Sequence, residues 1–287
     1  MLPTFFVPGA GKSGTSSLHE LLDQHPDVAM SRPKETHAFT LDRWAADPEA
    51  RLAHAWDHKP GRAVRGESST SILPYPPAVA RIAARIPDAR FVCLLRDPVA
   101  RAWSHWSWMR AQGLEWRPFR RAIESDLGRR FDPRAAYAGN YRAYVDGSRY
   151  GTQIARLVTA FGSERVLVLT TEALGRAPLA TVNEAFAFLG VAPLASVADV
   201  RANETRGAPW PPAQAALWSA TFRLRRPFSR LGVPVRAGVG AWRARNPAEA
   251  ALARLDPVDA AWLRAQLATD RALLEATVGR TFPAWAS

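Results

Sequence analysis

A glycine-rich turn near the start of the sequence places the strongest constraint on the fold. An apolar run over residues 4–7 leads into Gly9-Ala10-Gly11-Lys12-Ser13-Gly14-Thr15, and a helical pattern covers residues 16–24. This order predicts a strand, an anion-binding loop and a helix, because such a turn presents consecutive backbone N–H groups at the positive end of a helix. Lys12 adds a full positive charge, and the neighbouring hydroxyl groups add hydrogen-bond donors.

The loop fails to match either of two common nucleotide-binding signatures. A nucleoside-triphosphate P-loop has a glycine five positions before its Gly-Lys-Ser, and here that position is Phe6. The dinucleotide fingerprint fits the letters of Gly9 to Gly14, but it requires a second strand and an acidic residue about 20 positions further on. That window holds a proline-rich loop in which the sequence predicts no strand. The loop alone therefore leaves the anion open.

The rest of the chain alternates predicted strands and helices. Strands are expected over residues 63–67, 89–95 and 166–170, and helices over residues 77–85, 98–110, 149–161 and 179–189. The run 89–95 is apolar on both faces, as in a buried parallel strand. This alternation predicts an α/β fold with a central parallel sheet flanked by helices.

One domain is expected to span residues 1–287. Residues 1–200 would form the α/β core, and residues 201–287 a helical region packed on it that helps to form an acceptor cleft. Residues 205–247 hold eight arginines and no acidic residue. Within them, the segment 223–245 fits a solvated basic face, a lid over an acidic ligand or a surface for anionic lipid. A final helix is predicted over residues 257–278.

The charge of the chain favours an anionic partner. Lysine and arginine total 38 against 26 acidic residues, a net charge of +12. No helix-turn-helix, zinc or RNA-binding pattern supports nucleic acid as that partner. The six histidines and the one cysteine show no metal-ligand spacing, so no metal is expected. The sequence has no apolar run long enough for a transmembrane helix and no signal peptide, so we expect a cytoplasmic protein.

A second candidate anion site follows the predicted strand 89–95. Arg96 stands at the carboxyl end of that strand, where open α/β sheets bind ligands. Ser104 lies two turns along the following helix, so Arg96 and Ser104 could hold one phosphate with a guanidinium fork and a hydroxyl. The alternative is an Arg96–Asp97 ion pair that caps the helix.

These motifs resemble those of the sulfotransferases that use 3′-phosphoadenosine 5′-phosphosulfate (PAPS). Lys12-Ser13-Gly14-Thr15-Ser16-Ser17-Leu18 resembles the 5′-phosphosulfate loop, and Arg96-Asp97-Pro98-(x)2-Arg101-(x)2-Ser104 resembles the 3′-phosphate element. The segment from Lys34 to Phe39 resembles the acceptor-site segment of the carbohydrate (heparan-sulfate-type) branch. Thr171-Glu172-Ala173-Leu174 is similar to a later element, and the likeness covers residues 3 to 190.

The resemblance implies a P-loop NTPase-like sandwich and PAPS as co-substrate, with no metal. The implied reaction moves the sulfuryl group to a hydroxyl or amine of a carbohydrate or glycosylated small molecule. Lys12 would stabilise the leaving 5′-phosphate and Glu35 would be the general base, with His37 as the rival base. The implied donor-binding residues are Ser13, Gly14, Thr15 and Ser16 for the 5′-phosphate, and Arg96, Ser104, Arg206 and Gly207 for the 3′-phosphate.

One departure from the family and two other classes of function stay open. The segment Gly66-Glu67-Ser68-Ser69-Thr70 lacks a lysine that some carbohydrate sulfotransferases have there, which puts a second cation near the transferred group in doubt. The rival functions are a small-molecule kinase of the P-loop type and a non-enzymatic protein that binds polyanions. Peripheral contact with an anionic membrane is compatible with all three functions, and the sequence predicts no oligomeric state.

Overall fold

A five-stranded, all-parallel sheet forms the centre of the molecule. The structure is a computed structural model that describes residues 1–111, 114–137, 142–200 and 254–285. The strand order is β2-β3-β1-β4-β5, and the expected α/β architecture is confirmed. The strands are β1 (Phe5–Phe6), β2 (Val28–Met30), β3 (Val64–Glu67), β4 (Arg90–Leu95) and β5 (Val166–Thr170).

Helices cover both faces of this sheet. Along β4, Phe91, Cys93 and Leu95 pack into one apolar cluster and Val92 and Leu94 into another, as the alternation of side chains in a strand requires. The described helices are α1 (Thr15–Leu22), α2 (Asp42–Ala45), α3 (Pro48–Arg51), α4 (Pro76–Arg85), α5 (Pro98–Ala111), α6 (Phe119–Glu124), α7 (Pro133–Tyr137), α8 (Tyr150–Phe161), α9 (Thr171–Arg176), α10 (Pro178–Leu189) and α11 (Pro257–Val278). Of the helices in these ranges, none has the length and apolarity to cross a membrane.

Strand β2 corrects one expectation from the sequence. The window after α1 does hold a strand, Val28–Met30, but its three buried residues are too few to give a periodic signal. The dinucleotide interpretation still fails, for a different reason. Strand β2 pairs with β3 and not with β1, and Ser31 and Arg32 follow it in place of an acidic residue.

The predicted C-terminal helix is confirmed as α11, and it packs closely on α8. Asp270 of α11 accepts hydrogen bonds from the N–H groups of Gly151 and Thr152, at 2.7 and 3.0 Å, and so caps the first turn of α8. A Cβ atom at Gly151 would lie 2.0 Å from the Asp270 carbonyl oxygen. Only glycine allows the two helices to approach this closely.

We expect Gly151→Ala to destabilise the protein, since the added methyl group must push α8 and α11 apart. Overpacking of this kind costs about 1–3 kcal/mol. Urea unfolding measures the loss. Gly175→Ala is the matched control, because a Cβ at this exposed helical glycine meets nothing within 4 Å. The control should gain roughly 0.5–1 kcal/mol. Equal stability of the two variants would contradict the close approach.

Candidate functional site

The loop between β1 and α1 extends onto the end of β4. Ala10 donates its N–H to the Leu94 carbonyl at 2.8 Å, and Leu94 donates its N–H to the Gly9 carbonyl at 2.9 Å. Gly14 has φ +86° and precedes α1, a conformation that glycine adopts without strain. The first-turn N–H groups of α1 have no carbonyl partner within the helix, and no acidic side chain stands in that turn. The loop thus has the geometry of an anion site.

Lys12 lies in this loop among other cations. Its Nζ is 5.2 Å from the ring centroid of Trp108. Burial, and then the positive charges of Arg101 and Arg96, lower the pKa of Lys12 from 10.5 to about 8. Lys12 also has φ +73°, an uncommon value for a residue with a side chain. A cation held beside two other cations favours a multiply charged anion.

The hydroxyl groups of the loop face the protein interior more than the sequence predicts. Ser13 is fully buried beside the Tyr150 hydroxyl, and its N–H donates to the Ala10 carbonyl at 3.2 Å. Thr15 is 5% exposed and Ser16 is half-buried. The binding roles of Ser13, Gly14, Thr15 and Ser16 stay predictions.

Arg101 of α5 binds the backbone of the loop. This fully buried residue donates Nε–H to the Gly11 carbonyl at 2.9 Å, and its Nη1 donates to the carbonyls of Tyr144 and Ala143 at 3.0 and 3.3 Å. Sequence reasoning gave Arg101 no role of its own, because its partners lie up to 90 residues away in the chain. Its place in the motif from Arg96 to Ser104 was the available signal.

The second predicted anion site lies where β4 meets α5. Arg96 follows β4 and Ser104 is in the second turn of α5, and both are half-buried. Asp97 caps α5 by accepting the Ala100 N–H at 2.6 Å. Burial raises the pKa of Asp97. The positive charge that opposes this rise is that of Arg264 rather than that of Arg96. The capping part of the alternative is therefore confirmed, and the Arg96–Asp97 ion pair is not.

A threonine and a glutamate after β5 hold the two anion-site elements together. The Thr171 hydroxyl lies 2.6 Å from the Ser13 carbonyl oxygen and 3.1 Å from that of Leu95. Glu172 accepts the Asp97 N–H at 3.1 Å and the Trp285 indole N–H at 3.2 Å. The segment that resembles a late family element thus fixes the loop, the end of β4 and the C-terminal region. Arg206 and Gly207 lie outside the described residues.

Glu35 is held in a fixed orientation on the other side of the site. Its carboxylate accepts hydrogen bonds from the Thr70 N–H and the Thr70 hydroxyl, each at 3.0 Å, and from Lys34 Nζ, also at 3.0 Å. Its backbone has φ +61°, and its side chain is 31% exposed. The cation next to the candidate base is therefore Lys34. Ser68, in the segment that lacks the family lysine, places its hydroxyl 2.9 Å from the His19 ring.

His37, the rival base, lies two residues further along with φ +57°. Its N–H donates to the Ser69 hydroxyl at 2.8 Å, and its Nδ1 lies 3.1 Å from the Ser71 hydroxyl. Burial lowers the pKa of His37, so its ring is neutral at neutral pH. A neutral imidazole can accept a proton, and His37 therefore remains chemically able to act as a base.

One cavity of about 200 Å³ joins these two sides of the site. Ala10 and Gly11 of the loop line it together with Glu35, His37 and Trp108. The structure thus brings both candidate bases to the loop. One tryptophan of α5, Trp108, thus faces this cavity. The other two tryptophans of α5, Trp103 and Trp106, pack on Phe119. Within the described ranges, no group of three or more His, Cys, Asp or Glu residues could hold a metal ion.

Comparison with known proteins finds sulfotransferases. A model described as "Sulfotransferase family" matches residues 72–195. A solved sulfotransferase from Alicyclobacillus acidocaldarius aligns over 100% of both chains at 25% identity, with a TM-score of 0.70. These likenesses support a sulfotransferase. Sulfotransferases have a P-loop NTPase-like fold, so the implied fold is confirmed as well.

Two curated relatives of this sulfotransferase come from eukaryotes. The bifunctional heparan sulfate N-deacetylase/N-sulfotransferase 2 of Bos taurus is 28% identical over 206 residues, which are 67% of this chain and 22% of that protein. The membrane-associated sulfotransferase kil1 of Dictyostelium discoideum is 31% identical over 107 residues, 37% of this chain and 22% of that one. The chain thus spans about a fifth of the length of each. The family match includes Arg96 and Ser104, while Lys12 and Glu35 precede it.

We expect Arg101→Lys to destabilise this sulfotransferase by about 1–3 kcal/mol, because one ammonium group cannot replace a planar fork that serves both Gly11 and Tyr144. Thermal and urea unfolding measure the change. Arg121→Lys is the control, since that side chain is 78% exposed and should leave stability unchanged. If Arg101→Lys unfolds like the control, Arg101 does not support the loop.

Proposed function

We propose that this sulfotransferase transfers the sulfuryl group of PAPS to a hydroxyl or amine of a carbohydrate or glycosylated small molecule. The observation that carries the proposal is the shared cavity, which the anion-binding loop lines on one side and the Glu35 carboxylate on the other. A donor phosphosulfate at the loop would then face a candidate base.

The charge of the loop supports PAPS as the donor. PAPS carries several negative charges on its 3′-phosphate and 5′-phosphosulfate, and Lys12, Arg96 and Arg101 concentrate positive charge at the carboxyl edge of the sheet. The loop N–H groups would bind the 5′-phosphate, as helix N-termini bind anions. Arg96 and Ser104 would bind the 3′-phosphate, which distinguishes this donor from nucleotides without one.

The proposed chemical step is a direct displacement at sulfur. Glu35 removes the proton of the acceptor hydroxyl, whose oxygen forms a bond to sulfur while the bond from sulfur to the 5′-phosphate oxygen breaks. Adenosine 3′,5′-bisphosphate leaves, and Lys12 neutralises the charge that develops on its 5′-phosphate. An amine acceptor loses its proton to Glu35 in the same way.

Orientation favours Glu35 over His37 as the base. Three donors hold the Glu35 carboxylate, and one of them is the Lys34 ammonium group. The Nδ1 atom of His37 is engaged with the Ser71 hydroxyl. A base must be held within reach of its proton, and Glu35 is the group that the surrounding residues orient from several directions.

The carbohydrate part of the proposal rests on the heparan sulfate enzyme named above. The name of that protein includes N-sulfotransferase, so amine acceptors belong in any screen. The domain assignment of residues 1–287, the cytoplasmic location, peripheral membrane contact and the roles of Arg206 and Gly207 stay predictions.

Calorimetric binding of adenosine 3′,5′-bisphosphate tests the donor site directly, with ATP, NAD and AMP as comparators. We expect the bisphosphate to bind tightly and the comparators weakly, and Arg96→Ala to remove this preference. Preferred binding of ATP would favour the kinase function. Binding of no nucleotide would favour a polyanion-binding protein.

We expect Glu35→Gln to reduce turnover by about 10²–10⁴-fold, the usual contribution of a general base. Binding of adenosine 3′,5′-bisphosphate should stay unchanged, because the substitution leaves the loop intact. Transfer from [³⁵S]PAPS to N-desulfated heparin measures turnover. Glu20→Gln is the matched control, since Glu20 is an exposed residue of α1. Full activity of Glu35→Gln together with loss of activity in His37→Gln would assign the base to His37.

We expect the affinity for adenosine 3′,5′-bisphosphate to fall as the pH rises through the Lys12 pKa of about 8. Lys12 is protonated below that pH and attracts the anion, whereas above it the charge is lost. Between pH 7 and pH 9 the affinity should fall about tenfold if only the protonated form binds.

Lys12→Arg is the control for this pH dependence, because a guanidinium keeps its charge throughout that range. The affinity of this variant should be nearly constant from pH 7 to pH 9 in the same calorimetric titration. Equal slopes for the two proteins would show that another group titrates.

A further inference from the structure

Glu67, the last residue of β3, has a buried carboxyl group that the proposed reaction does not use. It is 1% exposed, and both of its carboxyl oxygens have hydrogen-bond partners. Its Oε1 accepts hydrogen bonds from the Thr36 hydroxyl at 2.7 Å, the Thr36 N–H at 3.3 Å and the Ser69 hydroxyl at 2.5 Å. Its Oε2 accepts the Ser69 N–H at 3.0 Å.

These hydrogen bonds satisfy the buried side chain. Burial raises the pKa of Glu67, and the hydrogen bonds from Ser69 and Thr36 act in the opposite direction with a smaller effect. A buried polar group with this many hydrogen-bond partners costs less to bury than one without them.

The contacts of Glu67 continue through the two hydroxyl groups. The Ser69 hydroxyl accepts the His37 N–H at 2.8 Å, and the Thr36 hydroxyl accepts the Ala38 N–H at 3.3 Å. These two hydroxyls therefore connect Glu67 to the backbone of the candidate base segment.

That segment has a strained backbone. Thr36 stands between Glu35 at φ +61° and His37 at φ +57°, and left-handed conformations at residues other than glycine persist only where the surroundings hold them. Glu67 contacts Thr36 directly and His37 through Ser69. Ser69 is followed by Thr70, whose N–H and hydroxyl bind the Glu35 carboxylate. Both connections lead from Glu67 to the two candidate bases.

We propose that Glu67 is a positioning residue for sulfuryl transfer, which through Thr36 and Ser69 holds the Glu35-Thr36-His37 segment against the cavity. This inference rests on the proposed function for its catalytic consequence. Its structural part, the attachment of residues 35–38 to Glu67, holds independently of any acceptor or reaction.

Glu67→Gln is the sharpest test, because it keeps the shape of the side chain and replaces one acceptor by a donor. With the amide nitrogen at the Oε2 position it faces the Ser69 N–H, and with the nitrogen at the Oε1 position it faces the Thr36 N–H. Either orientation loses contacts that hold the segment. Thr36→Val removes the hydroxyl at nearly constant shape, and Thr36→Ser, which retains it, serves as the conservative rescue.

The first measurement is amide hydrogen exchange by mass spectrometry on the full chain without ligand. We expect Glu67→Gln and Thr36→Val to raise exchange at least tenfold in peptides that cover residues 35–38, with no change in those that cover residues 9–18. Thr36→Ser should restore most of the protection. Unchanged exchange of residues 35–38 in Glu67→Gln would overturn the proposal, whether or not the protein transfers sulfuryl groups.

The second measurement is transfer from [³⁵S]PAPS to N-desulfated heparin. We expect Glu67→Gln to lower kcat by about 10–100-fold, the scale of a misplaced catalytic group, with unchanged calorimetric binding of adenosine 3′,5′-bisphosphate. The double variant with Thr36→Val should be little worse than either single variant, because both remove the same attachment. Additive losses would assign the two residues separate roles and contradict the proposal.

Ile82→Val controls for general loss of stability, since Ile82 is fully buried in α4 away from the cavity. It should lower Tm and leave kcat unchanged. If it lowers kcat as much as Glu67→Gln does at equal Tm, positioning is excluded. If the wild-type protein binds no bisphosphate and transfers nothing, the proposed function fails, while the exchange measurement still decides the attachment.

Discussion

Repulsion between like charges at the carboxyl edge of the sheet is the constraint on which the site depends. Lys12, Arg96 and Arg101 meet there because the loop after β1 extends onto the end of β4. Burial and mutual repulsion make this arrangement unfavourable until an anion is present, and the lowered pKa of Lys12 records that cost. The surrounding backbone holds the cations in place: Arg101 donates to three carbonyl groups, and Thr171 fastens Ser13 to the β4 end.

The opposite side of the cavity has acidic groups where the loop side has cations. Glu35 is exposed to the cavity and Glu67 is buried behind it, so two carboxyl groups lie in one region. Lys34 compensates the charge of Glu35, while hydroxyl and amide donors stabilise Glu67. The neutral ring of His37 adds no charge to the balance. A cationic side and an anionic side across one cavity suit a reaction that takes a proton on one side and releases an anion on the other.

Much of the fold could be predicted from the sequence, because long or strongly apolar elements carry their own signal. Strand β5 and helix α11 occupy the predicted residues, and β4 begins one residue later than expected. Strand β2 was missed because three residues show no period. The motifs placed Lys12, Glu35 and Arg96 near the sheet edge, but Arg101 and Glu67 gain their importance from partners distant in sequence or from burial. Such contacts arise only when the chain has folded.

Glu172 gives the fold a thermodynamic linkage between two distant parts of the chain. One oxygen of its carboxylate accepts the N–H of Asp97, next to Arg96, and the other accepts the indole of Trp285. A ligand that steadies the turn at Arg96 therefore also steadies the carboxylate on which the tryptophan docks. Because such coupling is reciprocal, docking of Trp285 in turn raises the affinity for that ligand. The last described turn of the chain therefore contributes to ligand binding at a turn that is distant in sequence and close in space.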